Sequence, residues 1–470
     1  MTDLPLDRLA AICGPAQVLT EADAAPYGQS WVKTYSAQPG AVVRPGSTQE
    51  VAAIMRLAQE TRTPIVPMGG NTGVTGATQA RDAVILSTER LDRIREIRTQ
   101  ARVAVAEAGV VVATLQEAVA AQGLTFPLMF GARGSARIGG VLSTNAGGAN
   151  VLRYGNTRAL CLGLEAVLPD GRVMDLTSAL LKDNSGYDLR QLLIGAEGTL
   201  GVITAAVMKL FPTPAAYATA MIAMPSLDGA LDLLNRLQSE SSGAVEAFEI
   251  MPQSYFTRLR ETRPGLRAPL GHDHAFTLLI ELGATARRDA VPGLDGTVPI
   301  VALLEEVLAA ALEKDQIADA VVARSDTQRA DLWHLREIAA EITLDRAPLV
   351  DTDIAVPPDQ VGAALARLEA RLVAMDAGAY SVTVGHLGDG NLHYTMFPTR
   401  DDAALLDALR EMVEDVVAEF GGSFSAEHGV GRSKRPSMRR RKDPVALDMM
   451  RAIKTAIDPQ GVMNPGVLLP

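Results

Sequence analysis

The sequence predicts an α+β protein built from two domains and a C-terminal helical segment. With 470 residues, the chain is too long for one ordinary hydrophobic core. Short strands alternate with helices and glycine-rich runs up to residue 213, where Pro212 and Pro214 interrupt the pattern. Longer helical segments alternate with strands after that point. We therefore predict domains at residues 1–213 and 214–425, followed by the helical segment at 426–470.

The first predicted domain contains short strands and two helices. Short apolar runs bounded by proline, glycine or polar residues predict strands at 41–43, 64–67, 83–86, 103–106 and 202–210. A helix begins near Ser47 or Thr48, with Glu50 just inside its start. Its apolar residues recur on one face: Val51, Ile54, Met55 and Ala58. A second helix is predicted at 108–122, and an Asp-Gly turn predicts a hairpin between 162–168 and 172–175.

The second predicted domain has longer helices. Strands are predicted at 276–281, 320–323 and 380–385, and the last of these runs into a histidine cluster. One helix is predicted at 327–343, where it carries Trp333, His334 and Arg336. The chain after about Pro436 is predicted to be helical.

Composition and charge exclude several classes of protein. Apolar residues make up 47% and charged residues 21%, which is typical of soluble globular proteins. A net charge of −11 argues against nucleic acid as a partner. The two cysteines, Cys13 and Cys161, are too few for a disulfide framework, which suits a reducing compartment. With no signal peptide pattern and no long apolar run, the expected location is the cytoplasm, without a membrane span.

Three glycine-rich runs predict a site for a phosphate-bearing group. Glycine lets the backbone approach a phosphate and present its N–H groups to it. The runs read P-M-G-G-N-T-G-V-T-G at 67–76, G-A-R-G-S-A-R-I-G-G-V-L-S-T-N-A-G-G at 131–148 and G-A-E-G-T-L-G at 195–201. None fits the dinucleotide fingerprint or the P-loop. The alternative for any single run is an ordinary tight turn.

A histidine cluster near the C-terminal end predicts a metal site. Three of the six histidines lie in G-H-L-G-D-G-N-L-H at 385–393 and S-A-E-H-G-V-G at 425–431. His386 and His393 would share one side if the residues between them form a hairpin turn, and Glu427 would be a third ligand. Three ligands with an open position suit catalytic Zn²⁺, although Fe²⁺ and Mn²⁺ also fit. Asn391 is placed to orient these ligands. The alternative is a pair of turn histidines with a helix-capping acid.

The three glycine-rich runs together resemble the vanillyl-alcohol oxidase-type FAD-binding fold. The resemblance implies an FAD-binding domain, an α+β substrate (cap) domain and a C-terminal segment that returns to the flavin. It assigns FAD binding to Pro67, Gly69, Gly70, Asn71, Thr72, Gly73, Gly134, Ser135, Gly139, Gly140, Thr144, Asn145, Gly147, Ile203 and Asn464. The first histidine of the chain is His272, so the flavin domain has no histidine for a covalent bond. Because Cys161 lies in an apolar run, we expect a core role for it and non-covalent FAD.

The histidine motifs resemble those of FAD-dependent D-2-hydroxyglutarate dehydrogenase and its D-lactate and glycolate relatives, and the likeness covers nearly the whole chain. The resemblance implies that a metal held by His386, His393 and Glu427 binds the 2-hydroxyl and carboxylate of a D-2-hydroxyacid. His428 would accept the hydroxyl proton, and hydride would pass to the flavin. Arg336 would grip the substrate carboxylate; the alternative for Arg336 is an ion pair with Glu337 or Asp331. Electrons would pass to an electron-transferring flavoprotein or a quinone, and the family suggests a homodimer.

The sequence departs from the glutarate enzymes at three positions. Their threonine four residues after the arginine corresponds to Ala340, and their lysine before the next strand corresponds to Asp351. Their asparagine two residues after the second metal histidine corresponds to Thr395. Losing a cation and gaining an acid disfavours a second substrate carboxylate. A D-2-hydroxy monoacid such as lactate therefore competes with D-2-hydroxyglutarate, and a non-redox FAD transferase of the alkylglycerone-phosphate synthase type is a weaker alternative.

Overall fold

The computed structural model describes residues 4–271 and 273–470. His272 lies outside the described residues. The chain forms two compact units. The first unit contains the described residues up to Gly147, Gly155–Pro212 and Glu427–Pro470. The second contains Gly148–Tyr154 and Thr213–Ala426.

The chain before Gly155 forms six helices and seven strands within the described residues. In chain order these are α1 (Leu6–Cys13), β1 (Val18–Leu19), α2 (Glu21–Ala24), β2 (Ala41–Val43), α3 (Thr48–Thr61), β3 (Ile65–Met68), β4 (Val84–Ser87), β5 (Ile94–Arg98), β6 (Val103–Glu107), α4 (Val112–Ala120), β7 (Leu124–Thr125), α5 (Ile138–Thr144) and α6 (Val151–Tyr154). The strands predicted near 41, 65, 84 and 103 are confirmed.

The next stretch completes the sheets of the first unit and begins the second unit. Its elements are α7 (Thr157–Leu160), β8 (Cys161–Val167), β9 (Val173–Leu176), α8 (Arg190–Leu193), β10 (Val202–Lys209), β11 (Phe211–Pro212), β12 (Ala216–Met224), α9 (Ala230–Glu240), β13 (Val245–Pro252), α10 (Gln253–Thr262), β14 (Phe276–Ala284), α11 (Arg287–Ala290) and α12 (Pro299–Glu313). The antiparallel pairing of β8 with β9 confirms the predicted hairpin.

The remaining elements finish the second unit and end in two helices of the first. They are β15 (Asp319–Val322), α13 (Asp326–Glu337), α14 (Ala339–Thr343), β16 (Val350–Ala355), α15 (Val361–Met375), β17 (Tyr380–His386), β18 (Asn391–Phe397), α16 (Ala403–Glu419), α17 (Arg435–Arg441) and α18 (Pro444–Ile457). Nowhere in the two described ranges does a helix combine the length and apolar character that a membrane crossing requires.

The first unit contains a four-stranded, a five-stranded and a two-stranded sheet. The four-stranded sheet has the order β1-β2-β4-β3, and its last three strands are parallel. The five-stranded sheet has the order β5-β6-β10-β8-β9 and is antiparallel. Helix α3 begins where predicted: the Ser47 hydroxyl accepts from the Glu50 N–H, and the Glu50 carboxylate accepts from the Gly46 N–H. Its predicted apolar face is buried against the parallel strands.

The second unit is organised around one seven-stranded antiparallel sheet. Its order is β15-β12-β14-β13-β17-β18-β16. One face carries the largest apolar core, to which α9, α12, α15 and α16 contribute. The opposite face is covered by α10, α13 and α14. We call this opposite face the polar face, because several carboxylates and the predicted metal histidines lie on it.

Two predicted helices differ from the structure. The helix predicted at 108–122 spans only Val112–Ala120, because the Ala108 backbone bonds to Thr204 and Gly139 instead. The helix predicted at 327–343 is two helices, α13 and α14. There the hydroxyl of Tyr255 donates to the carbonyl of Leu335 at 2.6 Å, taking an acceptor that a continuous helix uses for its own N–H.

The second glycine-rich run is partly helical. Helix α5 occupies its centre and includes Gly139 and Gly140. The helix ends at Thr144 and is followed by its capping residue Asn145, whose φ of 52° is left-handed.

Candidate active site

The three glycine-rich runs lie against one another in the first unit. A Cβ on Gly70 would stand 2.0 Å from the carbonyl oxygen of Ser135, so the first and second runs touch backbone to backbone. The third run is hydrogen-bonded to the second: the Gly195 N–H donates to Leu142 at 3.0 Å, and the Glu197 N–H donates to Ser143 at 2.8 Å. The structure therefore brings the predicted FAD segments together.

Asn464 joins this cluster from the C-terminal segment. Its N–H donates to the carbonyl of Ile65 at 2.8 Å, and its side-chain amide donates to the carbonyls of Ala77 and Glu197. Its Oδ1 atom is buried and has no hydrogen-bond partner among the described residues. Such an acceptor fits a bound group that carries an N–H, as the isoalloxazine ring of FAD does.

Side chains of the predicted cofactor residues are largely engaged inside the protein. The Asn71 amide donates to Gln29, and its carbonyl oxygen accepts from Thr78. Asn145 accepts from the N–H of Arg158 at 2.9 Å. These two side chains are therefore engaged within the protein, and phosphate binding by the backbone N–H groups of Gly69–Gly73 stays a prediction.

The other predicted cofactor residues lie in and around the same runs. Pro67 is in β3, Ile203 in β10 at an irregularity of its pairing with β8, and Thr144 ends α5. Gly73, Gly134 and Ser135 are exposed, Gly139 and Gly147 are buried, and Gly69, Thr72 and Gly140 are partly buried. Cys161 is buried, and burial raises the pKa of its thiol to about 12, which disfavours the thiolate that a covalent flavin link requires.

The predicted hairpin places His386 and His393 side by side in the second unit. His386 ends β17, and His393 is the third residue of β18, where it pairs with Val384. The turn at 387–390 reverses the chain, so both imidazoles lie on the polar face with ring centroids 5.7 Å apart. The hairpin that the sequence predicts is confirmed.

Glu249, on the neighbouring strand β13, connects His386 to Arg336. Its Oε1 lies 2.7 Å from Nδ1 of His386, and its Oε2 lies 2.9 Å from Nε of Arg336. Burial raises the pKa of this carboxyl, but its contacts with His386 and Arg336 outweigh burial and hold the pKa below its ordinary value. With Nδ1–H donating to Glu249, the Nε2 atom of His386 is the one that presents a lone pair.

His393 has a second carboxylate beside it. Oδ1 of Asp353 lies 3.7 Å from Nδ1 of His393 and accepts from the Asn391 amide at 2.9 Å. Oδ2 of Asp353 accepts from the N–H of Ala426 at 3.1 Å. Asn391 is therefore hydrogen-bonded to the carboxylate that lies beside His393, and its orienting role stays a prediction.

Glu427, the third predicted ligand, belongs to the first unit, whereas His386 and His393 belong to the second. Two imidazoles with one carboxylate fit Zn²⁺ and also suit Mn²⁺ or Fe²⁺. A cation held by these three residues stays a prediction.

Arg336 reaches the polar face from helix α13. The same helix side carries Arg329 and Trp333, which bind the buried carboxylate of Glu281 at 2.6 Å and 2.8 Å. Arg336 forms an ion pair with Glu249 of strand β13. The Nε atom of its guanidinium therefore contacts Glu249, and 11% of the Arg336 side chain is exposed to solvent.

The three positions that depart from the glutarate enzymes are also visible. Asp351 and Thr395 are directly opposed on β16 and β18, and the Thr395 hydroxyl donates to Asp351 at 2.8 Å. Thr395 lies two residues beyond His393, on the same side of its strand. Ala340 is exposed on α14.

Sequence reasoning did not single out Glu249 or Asp353. Each is an acid within a strand that is otherwise mostly apolar, in V-E-A-F-E-I-M-P and V-D-T-D-I-A. A buried acid in such a strand needs a partner, so this pattern is the signal that could have found them. Which partner it meets depends on strand pairing, which the sequence does not display.

Comparisons with known proteins agree with these observations. Residues 39–177 match the family model described as FAD binding domain, and residues 213–468 match FAD linked oxidases, C-terminal domain. A D-2-hydroxyglutarate dehydrogenase of Stutzerimonas stutzeri is 35% identical over 99% of both chains. The mitochondrial D-2-hydroxyglutarate dehydrogenase of Bos taurus is 36% identical over 99% of this chain and 84% of its own. A putative mitochondrial D-lactate dehydrogenase of Schizosaccharomyces pombe is 32% identical over 94% of this chain and 84% of its own.

Solved structures with low sequence identity share the fold. An alkyldihydroxyacetonephosphate synthase has a TM-score of 0.74 at 19% identity, covering 98% of this chain and 86% of its own. A substrate-bound p-cresol methylhydroxylase has a TM-score of 0.74 at 17% identity, covering 98% and 95%. The predicted vanillyl-alcohol oxidase-type α+β fold is confirmed. The chain therefore belongs to the family of FAD-linked oxidases and is an FAD-dependent oxidoreductase.

Proposed function

We propose that this protein is a metal-assisted dehydrogenase that oxidises a D-2-hydroxyacid to the 2-oxoacid. The observation that carries the proposal is the polar face, where His386 and His393 lie beside a guanidinium that Glu249 orients. The names of the curated relatives, which are D-2-hydroxyglutarate and D-lactate dehydrogenases, support the same reaction class.

Each residue has a distinct task in this proposal. The guanidinium of Arg336 binds the substrate carboxylate through its terminal nitrogens, since its Nε faces Glu249. The imidazole of His428 accepts the proton of the 2-hydroxyl oxygen, as imidazoles commonly do in general base catalysis. Asn391 and Asp353 orient His393, and Glu249 orients His386.

The two bound groups would supply the remaining chemistry. His386, His393 and Glu427 would hold a divalent cation, with Zn²⁺ as the first choice, and this cation would supply Lewis acidity toward the substrate hydroxyl. The glycine-rich runs would hold FAD non-covalently; the flavin would supply the acceptor for the C2 hydride, and its electrons would go to a separate acceptor such as an electron-transferring flavoprotein or a quinone. A cytoplasmic location is part of the proposal.

A second candidate is a dehydrogenase of D-2-hydroxy monoacids such as D-lactate. Asp351 and Thr395, which are hydrogen-bonded to each other, favour it. They place an acid opposite the position two residues beyond His393 along β18. A carboxylate at the far end of the substrate would be repelled there, whereas an uncharged chain would not. The likeness to alkyldihydroxyacetonephosphate synthase, at 19% identity, concerns the fold alone and lends a transferase function no support.

Anaerobic mixing of the metal-replete flavoprotein with a panel of D- and L-2-hydroxyacids tests the proposal. We expect D-acids to bleach the flavin absorbance and their L-enantiomers not to do so. Comparing D-2-hydroxyglutarate with D-lactate and longer D-2-hydroxy monoacids separates the two candidates. If no 2-hydroxyacid bleaches the flavin, the proposal is wrong.

A further inference from the structure

We propose that Glu197 is a positioning residue that holds the segment bearing His428. This inference rests on the proposed role of His428 as general base. Glu197 lies in the third glycine-rich run, G-A-E-G-T-L-G, one of the three runs predicted to bind FAD. Its carboxylate contacts the residues that follow His428.

The backbone of Glu197 is held in an unusual conformation. Its φ is 51°, in the left-handed region that costs a non-glycine residue about 1 kcal/mol or more. Its N–H donates to Ser143 at 2.8 Å, and its carbonyl accepts from the Asn464 amide at 2.7 Å. Surrounding contacts therefore fix the direction in which the side chain leaves the loop.

The carboxylate of Glu197 captures two consecutive backbone donors. Oε1 accepts from the N–H of Val430 at 2.8 Å, and Oε2 accepts from the N–H of Gly431 at 2.7 Å. The residue is only 5% exposed. Burial raises the pKa of this carboxyl, and the two N–H groups oppose that shift. Buried acceptors of this kind are costly to lose, because both N–H groups would be left without partners.

Thr75, in the first glycine-rich run, holds the other side of the segment. Its carbonyl accepts from the N–H groups of Arg432 and Ser433 at 2.9 Å and 3.1 Å. Its hydroxyl donates to the carbonyl of His428 at 3.4 Å. The residues from His428 to Ser433 are thus fastened to two of the runs that form the FAD cluster. Glu197 contributes a carboxylate to these contacts.

The test combines Glu197→Gln with His428→Ala in purified, FAD-loaded protein. Glutamine keeps the shape and one acceptor, but its NH₂ group faces an N–H donor, so the segment shifts. A displacement of about 1 Å in a catalytic group costs on the order of 100-fold in rate. We expect Glu197→Gln to slow anaerobic flavin reduction by a D-2-hydroxyacid about ten- to a hundred-fold. FAD content is expected to equal that of the wild type.

A double-mutant cycle separates positioning from a general loss of stability. If Glu197 acts through His428, adding Glu197→Gln to His428→Ala causes no further loss of reduction rate. The matched control is Glu107→Gln, which removes another buried carboxylate of the same unit that binds Arg93 and Arg95. The control is expected to lower thermal stability without changing the reduction rate per bound FAD.

Four outcomes overturn the inference. A normal reduction rate in Glu197→Gln overturns it, as does an equal further loss in the His428→Ala background. Loss of FAD in Glu197→Gln also overturns it, because Glu197 would then belong to the cofactor site. Normal reduction in His428→Ala alone has a different meaning: it removes the proposed general base, and the inference with it.

Discussion

A single buried carboxylate organises two functional groups on the polar face. Glu249 contacts an imidazole through one oxygen and a guanidinium through the other. A buried carboxylate needs such partners, since an unpaired charge in the interior is costly. Both partners in turn lose side-chain freedom, so Glu249 fixes a metal ligand and a substrate-binding group at once.

Replacing Glu249 by glutamine is predicted to weaken both functions. We expect the affinity for Zn²⁺ to fall about 10- to 100-fold, as is usual when the hydrogen-bond partner of a metal-binding histidine is lost. The KM for the hydroxyacid should rise as well, because Arg336 loses its anchor. Competition with a chelating dye measures the first effect and steady-state kinetics the second. Unchanged metal affinity would show that His386 does not depend on Glu249.

The turn between the two histidines depends on Gly390. Its φ of 79° is left-handed, and a Cβ there would stand 1.9 Å from the carbonyl oxygen of Val356. Gly390→Ala is therefore predicted to destabilise the protein by at least about 2 kcal/mol and to separate the imidazoles. Urea unfolding and elemental analysis of bound metal measure the two effects.

Gly243→Ala is the matched control for this turn. Gly243 belongs to the same unit and has a φ of 77°, but a Cβ there meets no atom within 4 Å. Its substitution should cost about 1 kcal/mol and leave metal content unchanged. Equal metal loss in both variants would contradict the specific role assigned to Gly390.

Helix starts and turns that depend on nearby residues were predicted correctly from local sequence patterns. Helix α3 has the predicted start because Ser47 and Glu50 cap it from within four residues. The β17–β18 hairpin followed from the glycine-rich turn between its histidines. The helix predicted at 327–343 was wrong because Tyr255, 80 residues from Leu335 in sequence, takes a carbonyl in its middle. Contacts between residues that are far apart in sequence cannot be read from the apolar periodicity that predicts a helix.

Glu165 on β8 joins three elements of the first unit and makes stability depend on pH. It accepts hydrogen bonds from Thr48 of α3, Arg95 of β5 and Thr204 of β10. Burial alone raises the pKa of this carboxyl, but these hydrogen bonds outweigh burial and hold the pKa below the ordinary glutamate value of 4.5. The unfolded chain therefore takes up the proton at a higher pH than the folded protein does.

The sign of the effect follows from this order of protonation. The stabilisation by Glu165 is fully present above the unfolded-state pKa and is lost as pH falls through the folded-state pKa. Glu165→Gln should lower Tm at pH 7 and make the loss of Tm below pH 4.5 shallower than in the wild type. Thermal unfolding at a series of pH values measures both. An equally steep acid limb in the variant would contradict the assignment.

At the scale of the whole molecule, the chain passes between the two units four times. It leaves the first unit at Gly148, returns at Gly155, leaves again at Thr213 and returns at Glu427. Glu427 and His428 are thus the first two residues after the last crossing. The FAD motifs and the histidine motif were both visible in the sequence because they are short and rich in glycine. The strand order of the seven-stranded sheet, which brings β13 with Glu249 beside β17, was not predictable from such motifs.

The central claim is that a cation on His386, His393 and Glu427 activates a D-2-hydroxyacid for oxidation by FAD. The most direct measurement is the rate of anaerobic flavin bleaching by a reactive D-2-hydroxyacid before chelation, after chelation, and after Zn²⁺, Mn²⁺ or Fe²⁺ is restored to the same sample. We predict that chelation abolishes bleaching while FAD stays bound, and that one of these cations restores it. Bleaching at an undiminished rate in protein shown to be free of metal would contradict the account.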